Sequence, residues 1–342
     1  MKLKPVRDQV VVIMGASSGI GREVALRFGA AGAKVVVSAR SQEGLLSLVS
    51  EIERRGGRAT SIVCDVADPT QVEAVAEAAV LSFGRIDTWV HVAAVTVYAR
   101  FEDTTHEEFR RVIEVNYLGQ VHGFLAALPR LRTTGGGALI SVSSVESSVS
   151  LPMTSAYAAS KHAVEGALDA LRRELIAEGV PISVTSVKPG TINTPLFDNA
   201  RTRLDAKPQG PPPVYHPAVV ADCVLYAAHH PVRDLYAGGA ARMMMIGQAV
   251  APGLLDRLLS RFGIEAQRSN RPPTDGGRGN LDAPRTEDNR VEGDDRKRAR
   301  RFSVYTWMEL HPFARLLAAG GAIAGAALLI SRARSKRSLL LR

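Results

Sequence analysis

The chain has 342 residues, 46% hydrophobic and 23% charged, with a formal net charge of +9. That apolar content can build a sizeable core and excludes a wholly disordered chain, and two cysteines, Cys64 and Cys223, exclude a disulfide scaffold or a cysteine-rich zinc site. The charge is unevenly placed: residues 1–262 hold 27 basic and 25 acidic side chains, residues 263–342 hold 16 and 9, so the C-terminal part is the one suited to a polyanion such as anionic lipid.

In chain order, Lys2 and Lys4 precede an apolar run, Val10-Val11-Val12-Ile13-Met14, that Gly15 ends. It is too short for a secretory signal and reads as a buried first strand. Further β-branched runs lie at Lys34–Ser38, Ala59–Cys64, Thr88–Val92, Ala138–Ser143 and Ile182–Lys188. Helix-length amphipathic segments separate them, near 19–30, 41–55, 69–83, 105–131 and 155–178. Continuous apolar strands are buried on both faces, and their alternation with helices predicts an α/β fold with a doubly wound parallel sheet. Residues 1–262 form one such domain.

The first strand runs into Gly15-Ala-Ser17-Ser18-Gly19-Ile20-Gly21 and then directly into a helix pattern. A glycine turn between a strand and a helix lets backbone approach a pyrophosphate at the helix N-terminus. Further on, Ala138–Ser144 reads as a strand emerging into a polar loop, and Tyr157-Ala-Ala-Ser-Lys161 opens a long helix thirteen residues after Ser144. Tyr157 and Lys161 are four apart and share a helical face. A neighbouring ammonium favours the phenolate, which predicts a tyrosine pKa lowered towards the working pH, suited to proton transfer.

With this spacing, G-x-x-x-G-x-G, and this order of Ser144, Tyr157 and Lys161, the chain resembles the short-chain dehydrogenase/reductase family over roughly residues 8–250. The resemblance implies a Rossmann-type fold and hydride transfer between a nicotinamide and a carbonyl or secondary alcohol. It implies catalytic roles for Asn116, Ser144, Tyr157 and Lys161. Ser144 would hydrogen-bond the substrate oxygen, Asn116 would hold a relay water beside Lys161, and Lys161 would also hold the nicotinamide ribose. Cofactor contacts are implied at Gly15, Ser17, Ser18, Gly19, Ile20 and Gly21, at Asp65 and Val66 beside the adenine, and at Pro189, Gly190, Ile192 and Thr194 beside the carboxamide. The second strand ends Val37-Ser38-Ala39-Arg40, without the carboxylate that would bind ribose hydroxyls, and Arg40 can pair with a 2′-phosphate. NADP(H) is therefore expected in preference to NAD(H), which sets the catalytic part in the cytoplasm. The sequence departs from the family at Met14 and at His91-Val92-Ala93-Ala94; His91 reads as a core histidine, with no metal site. Leu151, Met153, Leu196 and Phe197 favour an apolar substrate. The competing reading is a non-catalytic nucleotide-binding scaffold, against which the intact Ser144, Tyr157 and Lys161 set argues. Assembly into a homo-oligomer is left open.

From about residue 263 the composition turns polar, and 263–303 reads as a disordered linker. Residues 304–342 follow as a hydrophobic helix with a basic end. Leu316–Ile330 carries no charge, and basic residues flank it at Arg296–Arg301 and Arg332–Arg342. This predicts lipid contact through 313–337 and membrane association, as a span or a surface anchor, with a helix packed on the enzyme as the alternative. No aromatic residue interleaves Arg296–Arg301, which disfavours nucleic acid as the partner.

Overall fold

The computed structural model describes residues 1–314. Seven parallel strands form the central sheet: β1 Val10–Met14, β2 Lys34–Ala39, β3 Arg58–Val63, β4 Thr88–His91, β5 Gly137–Val142, β6 Ile182–Pro189 and β7 Asp234–Ala237. Their spatial order is β7-β6-β5-β4-β1-β2-β3. β1, β4, β5 and β6 are buried at every position; β1 is apolar throughout, while β4 and β6 enclose polar side chains among their β-branched residues. The edge strand β3 alternates far less cleanly and is mostly half-exposed.

The five helical segments expected from periodicity are present. They are α1 Gly19–Ala30, α2 Gln42–Arg54, α3 Pro69–Phe83, then α4 His106–Ile113 continuing through a π-helical turn, Glu114–Leu118, into α5 Gly119–Thr133, and α6 Ser155–Ala177. Local chemistry sets their starts. Asp68 caps α3 through the Thr70 and Gln71 N–H groups, and Thr105 with Glu108 forms a reciprocal capping box on α4. The sequence pattern did not single out α8 Pro217–His229, α9 Gly239–Val250 or α10 Pro252–Ala266, which follow the short α7 Pro195–Asp198; α11 Val304–Leu310 falls at the start of the helix expected over 304–342 and ends before the uncharged run. α8 packs against α1 on one face of the sheet.

Two boundaries differ from expectation. α10 runs through residue 262 to Ala266. The segment 263–303 is not a solvated linker but lies against the domain. Its apolar content is too low to bury much surface, so it is held by charge and backbone groups. Lys207 pairs with Asp294 at 2.7 Å, Arg290 with Asp198 at 2.8 Å, and the Arg300 N–H donates to the Val214 carbonyl at 2.9 Å. One apolar side chain, Leu281, is buried to 1% exposure among the core residues around Val66 and Val115. Leu316–Ile330 lies outside the described residues.

If Leu281 anchors this segment, Leu281→Ala should destabilise the domain by about 2 kcal/mol, as truncation in a packed site does. A denaturation midpoint equal to that of the parent chain would contradict the packing.

Candidate active site

A cleft opens at the carboxyl ends of β1 and β4, where the strand order reverses. Its floor is the glycine turn. Gly15 has φ of +85°, and a Cβ there would lie 2.5 Å from the Ala93 nitrogen. A Cβ on Gly21 would lie 2.1 Å from the Gly15 carbonyl oxygen. The turn therefore tolerates only hydrogen at both places. Ser17, Ser18, Gly19 and Ile20 line the cleft at the N-terminus of α1, while Gly21 sits behind them. The positive end of the α1 dipole faces this space, as a pyrophosphate site requires, while the Gly19 N–H there is taken by the Arg290 carbonyl.

Asp65 and Val66 line the adenosine end of the same cleft. The Asp65 carboxylate pairs with Arg111 at 2.5 Å and accepts the Ala67 N–H at 3.0 Å. Arg40 lines it too, and its guanidinium donates to the carbonyls of Asn280 and Leu281 at 2.5 and 3.3 Å. The Gly19 N–H donates to the Arg290 carbonyl at 2.8 Å, and the Ser41 hydroxyl bonds the Asn289 side-chain oxygen at 3.2 Å. Asn280, Pro284 and Arg285 form part of the cleft wall. The polar segment thus forms part of the wall of this cleft and takes two of the donors, the Gly19 N–H and the Arg40 guanidinium, that the sequence pattern set aside for a dinucleotide; composition alone gave no reason to expect it there.

Tyr157 and Lys161 stand at the other end of the cleft, on the first turns of α6. Lys161 donates to the Val142 carbonyl at 3.1 Å, and its nitrogen lies 5.6 Å from the centroid of the Tyr157 ring. Ser144 follows β5, and its hydroxyl accepts the Glu146 N–H at 3.0 Å. Asn116 is 1% exposed in the π-helical turn. Its oxygen accepts the Val95 N–H at 2.8 Å, and its amide hydrogens go to the Val95 carbonyl and the Ser160 hydroxyl at 2.9 and 3.0 Å. Ser160 in turn donates to the Tyr157 carbonyl at 2.6 Å. Asn116 therefore ties the β4 loop to the turn that carries Tyr157. Both of its amide hydrogens are used in those bonds.

The electrostatics reverse one expectation. Burial pushes the Tyr157 phenol well above its ordinary value; the Glu146 carboxylate adds to this and the Ser144 hydroxyl opposes it. Lys161 does not hold the phenol down, because burial also drives its own ammonium down, to about 8, against the pull of Glu165 and Glu146. Glu146 is raised by burial to about 7, despite the Thr154 hydroxyl, the Leu151 N–H and Lys161. His91 is fully buried and burial lowers it to about 3, which makes it a neutral core side chain.

Tyr157, Ser143 and Thr194 line both this cleft and a second cavity of about 360 Å³. Pro189, Gly190 and Ile192 border the second cavity rather than the first. Ser144 lies in its wall, as do Leu151, Leu196 and Phe197, whereas Met153 is not among its lining residues. α10 contributes Leu255, Leu259 and Phe262, beside Met244 of α9 and the prolines at 211–213. The sequence reading did not include α10 or Glu146 in the site. The carboxylate two residues after Ser144 was the available signal for Glu146.

The family model for short chain dehydrogenase matches residues 9–205. An uncharacterized oxidoreductase, YxnA, from Bacillus subtilis is 39% identical over 274 residues, covering 80% of this chain and 77% of its own. The dehydrogenase/reductase SDR family member 7B of Bos taurus is 36% identical over 279 residues, covering 77% of this chain and 84% of its own. Among solved structures, a short chain dehydrogenase from Mycobacterium paratuberculosis bound to NAD superposes with a TM-score of 0.61 at 28% identity, covering 68% of this chain and 97% of that one. A 7 alpha-hydroxysteroid dehydrogenase complexed with NADH and 7-oxo glycochenodeoxycholic acid gives 0.59 at 25% identity, covering 68% and 94%. The glycine turn, the reversal point of the sheet and the Tyr157–Lys161 helix thus recur in a chain that belongs to the short-chain dehydrogenase/reductase family and is an NAD(P)-dependent oxidoreductase.

Proposed function

We propose that the chain is an NADP(H)-dependent oxidoreductase that interconverts an apolar carbonyl compound and its secondary alcohol, with Tyr157 as the acid/base. The observation that carries this reading is that Tyr157 lines both the dinucleotide cleft and the second cavity, with Ser144 in the wall of the latter. The nicotinamide, when bound, supplies or accepts the hydride. Gly15, Ser17, Ser18, Gly19, Ile20 and Gly21 would cradle its phosphates, Asp65 and Val66 its adenine, and Thr194 its carboxamide end. Pro189, Gly190 and Ile192 would support that end from the pocket side.

In reduction, the Ser144 hydroxyl donates to the substrate oxygen and steadies the charge that grows there. The Tyr157 hydroxyl gives that oxygen its proton; in oxidation the phenolate takes it back. At neutral pH the phenol is protonated, as the donor in reduction must be, although its burial makes it a weaker acid than a free tyrosine. The Lys161 ammonium, next to the ring, supports the phenolate as it forms and holds the cofactor ribose. Asn116 positions the helix turn that carries the tyrosine. Leu151, Phe197, Met244 and the α10 side chains favour an apolar substrate body.

The NADP(H) preference rests on Ala39 and Arg40 at the end of β2, a strand end that itself carries no carboxylate to bind the ribose hydroxyls of NAD, with Arg40 as the partner for a 2′-phosphate. The reading also includes lipid contact through 313–337, supported by the uncharged Leu316–Ile330 and its basic flanks. Among the described residues no helix is long and apolar enough to cross a membrane. Leu254, Leu258 and Phe262 are nevertheless 59%, 47% and 57% exposed on α10, beside the exposed Arg257 and Arg261. That pattern suits an interfacial surface.

Three outcomes follow. Tyr157→Phe should lower kcat by about a hundredfold or more while the NADPH dissociation constant stays near that of the parent; a parent-like kcat would remove the acid/base assignment. Arg40→Asp should raise the KM for NADPH relative to NADH, and an unchanged ratio would leave the 2′-phosphate reading without a basis. The full chain should sediment with anionic vesicles and resist release by salt, while a chain ending at residue 314, left with the α10 surface alone, should be released by salt. Equal behaviour of the two would exclude the C-terminal anchor.

A further inference from the structure

The substrate pocket is apolar along α10, Leu151, Phe197 and Met244, yet an acidic side chain borders its catalytic end. Glu146 sits on the 3-10 turn Val145–Ser147 that follows Ser144 and is 8% exposed. Its backbone N–H donates to the Ser144 hydroxyl at 3.0 Å, so the turn that presents Glu146 is fastened to the serine of the site. One carboxylate oxygen accepts the Thr154 hydroxyl at 2.6 Å, which fixes the rotamer. Tyr98, Thr96 and Tyr157 border the pocket with it.

Burying a carboxylate in an apolar wall is costly, and bracing a loop does not require one. An asparagine, a glutamine or a backbone carbonyl could accept the Thr154 hydroxyl at lower cost. Burial has raised the Glu146 carboxyl to about 7, which records that cost. The carboxylate already accepts the Thr154 hydroxyl and the Leu151 N–H; what its two oxygens add is lone-pair capacity beyond those two bonds. That capacity is offered beside the place where Ser144 and Tyr157 would hold the reacting oxygen.

We propose that Glu146 is a specificity-determining residue whose carboxylate accepts a hydrogen bond from a hydroxyl or N–H group on the carbon next to the reacting one. The substrate class is then an apolar carbonyl compound or alcohol with a hydrogen-bond donor at the adjacent position. This rests on the carbonyl–alcohol reading above. A ligand with the donor satisfies the buried acceptor. An analogue without it covers the carboxylate and leaves the acceptor unmatched, which is where such sites gain their discrimination.

The test compares a medium-chain α-hydroxy ketone with the unsubstituted ketone of the same chain length. Turnover is measured with NADPH, and binding to the NADPH-loaded protein is measured by quenching of the cofactor's fluorescence. The parent chain should favour the hydroxy ketone by about tenfold or more in kcat/KM and in affinity, the discrimination expected of a bond to a charged acceptor. Glu146→Leu should bring that ratio close to one by weakening the hydroxy ketone and sparing or improving the ketone. Glu146→Gln, which keeps an acceptor for Thr154, should fall between them. A parent chain that does not discriminate, or a Glu146→Leu chain that loses both ligands alike while Glu146→Gln is normal, overturns the assignment and leaves Glu146 as a loop brace. A binding preference that survives without turnover of either ketone supports the assignment and instead removes the carbonyl-reduction reading.

Discussion

The closeness of α1 to β1 is the constraint on which the rest of the site depends. A Cβ at Gly21 would sit 2.1 Å from the Gly15 carbonyl oxygen, so the helix can start this near the strand only because nothing but hydrogen stands there. That start aims the positive end of α1 into the crevice where the sheet order reverses. It also sets Gly19 against Thr194, whose Cβ lies 3.2 Å from where a Gly19 Cβ would be. The phosphate-binding turn and the loop after β6 are thereby packed on each other. The dinucleotide cleft and the substrate cavity share a wall for that reason.

At the shared wall, burial outweighs charge pairing. Tyr157, Lys161 and Glu146 are all enclosed, and each is displaced towards its neutral form. The phenol is held as an acid, and the ammonium beside it is weakened. Asn116 and Ser160 carry no charge and take the positioning work, joining β4's loop to α6 through backbone and hydroxyl groups. Fully satisfied buried polar contacts of this kind hold one geometry, which proton transfer needs.

The segment after α10 illustrates a different way for chain to pack. Its ordering comes from arginine–carboxylate pairs and from carbonyls offered to Arg40, Arg111 and Gly19, with Leu281 as its deeply buried apolar contact. Such bonds can fasten a segment that contributes little to the hydrophobic core. They also make the adenosine end of the cleft a joint product of the family domain and of a region beyond the family match.

The parallel sheet and the family of the chain were legible in the residues taken in order. Six of the seven strands were visible because each carries a cluster of β-branched residues between turn signals, and the glycine turn and the Tyr157–Lys161 spacing follow from local geometry that short segments encode. β7 escaped because it has four residues and an aspartate at its start. Only the tertiary structure decided what meets across long chain separations. Arg40 meets Asn280, 240 residues away, and α10 closes a pocket opened by Ser144. It also decided the sign of the Tyr157 shift. Spacing can say that a lysine is near a tyrosine. How deeply both are buried, and so which effect prevails, is a property of the assembled fold.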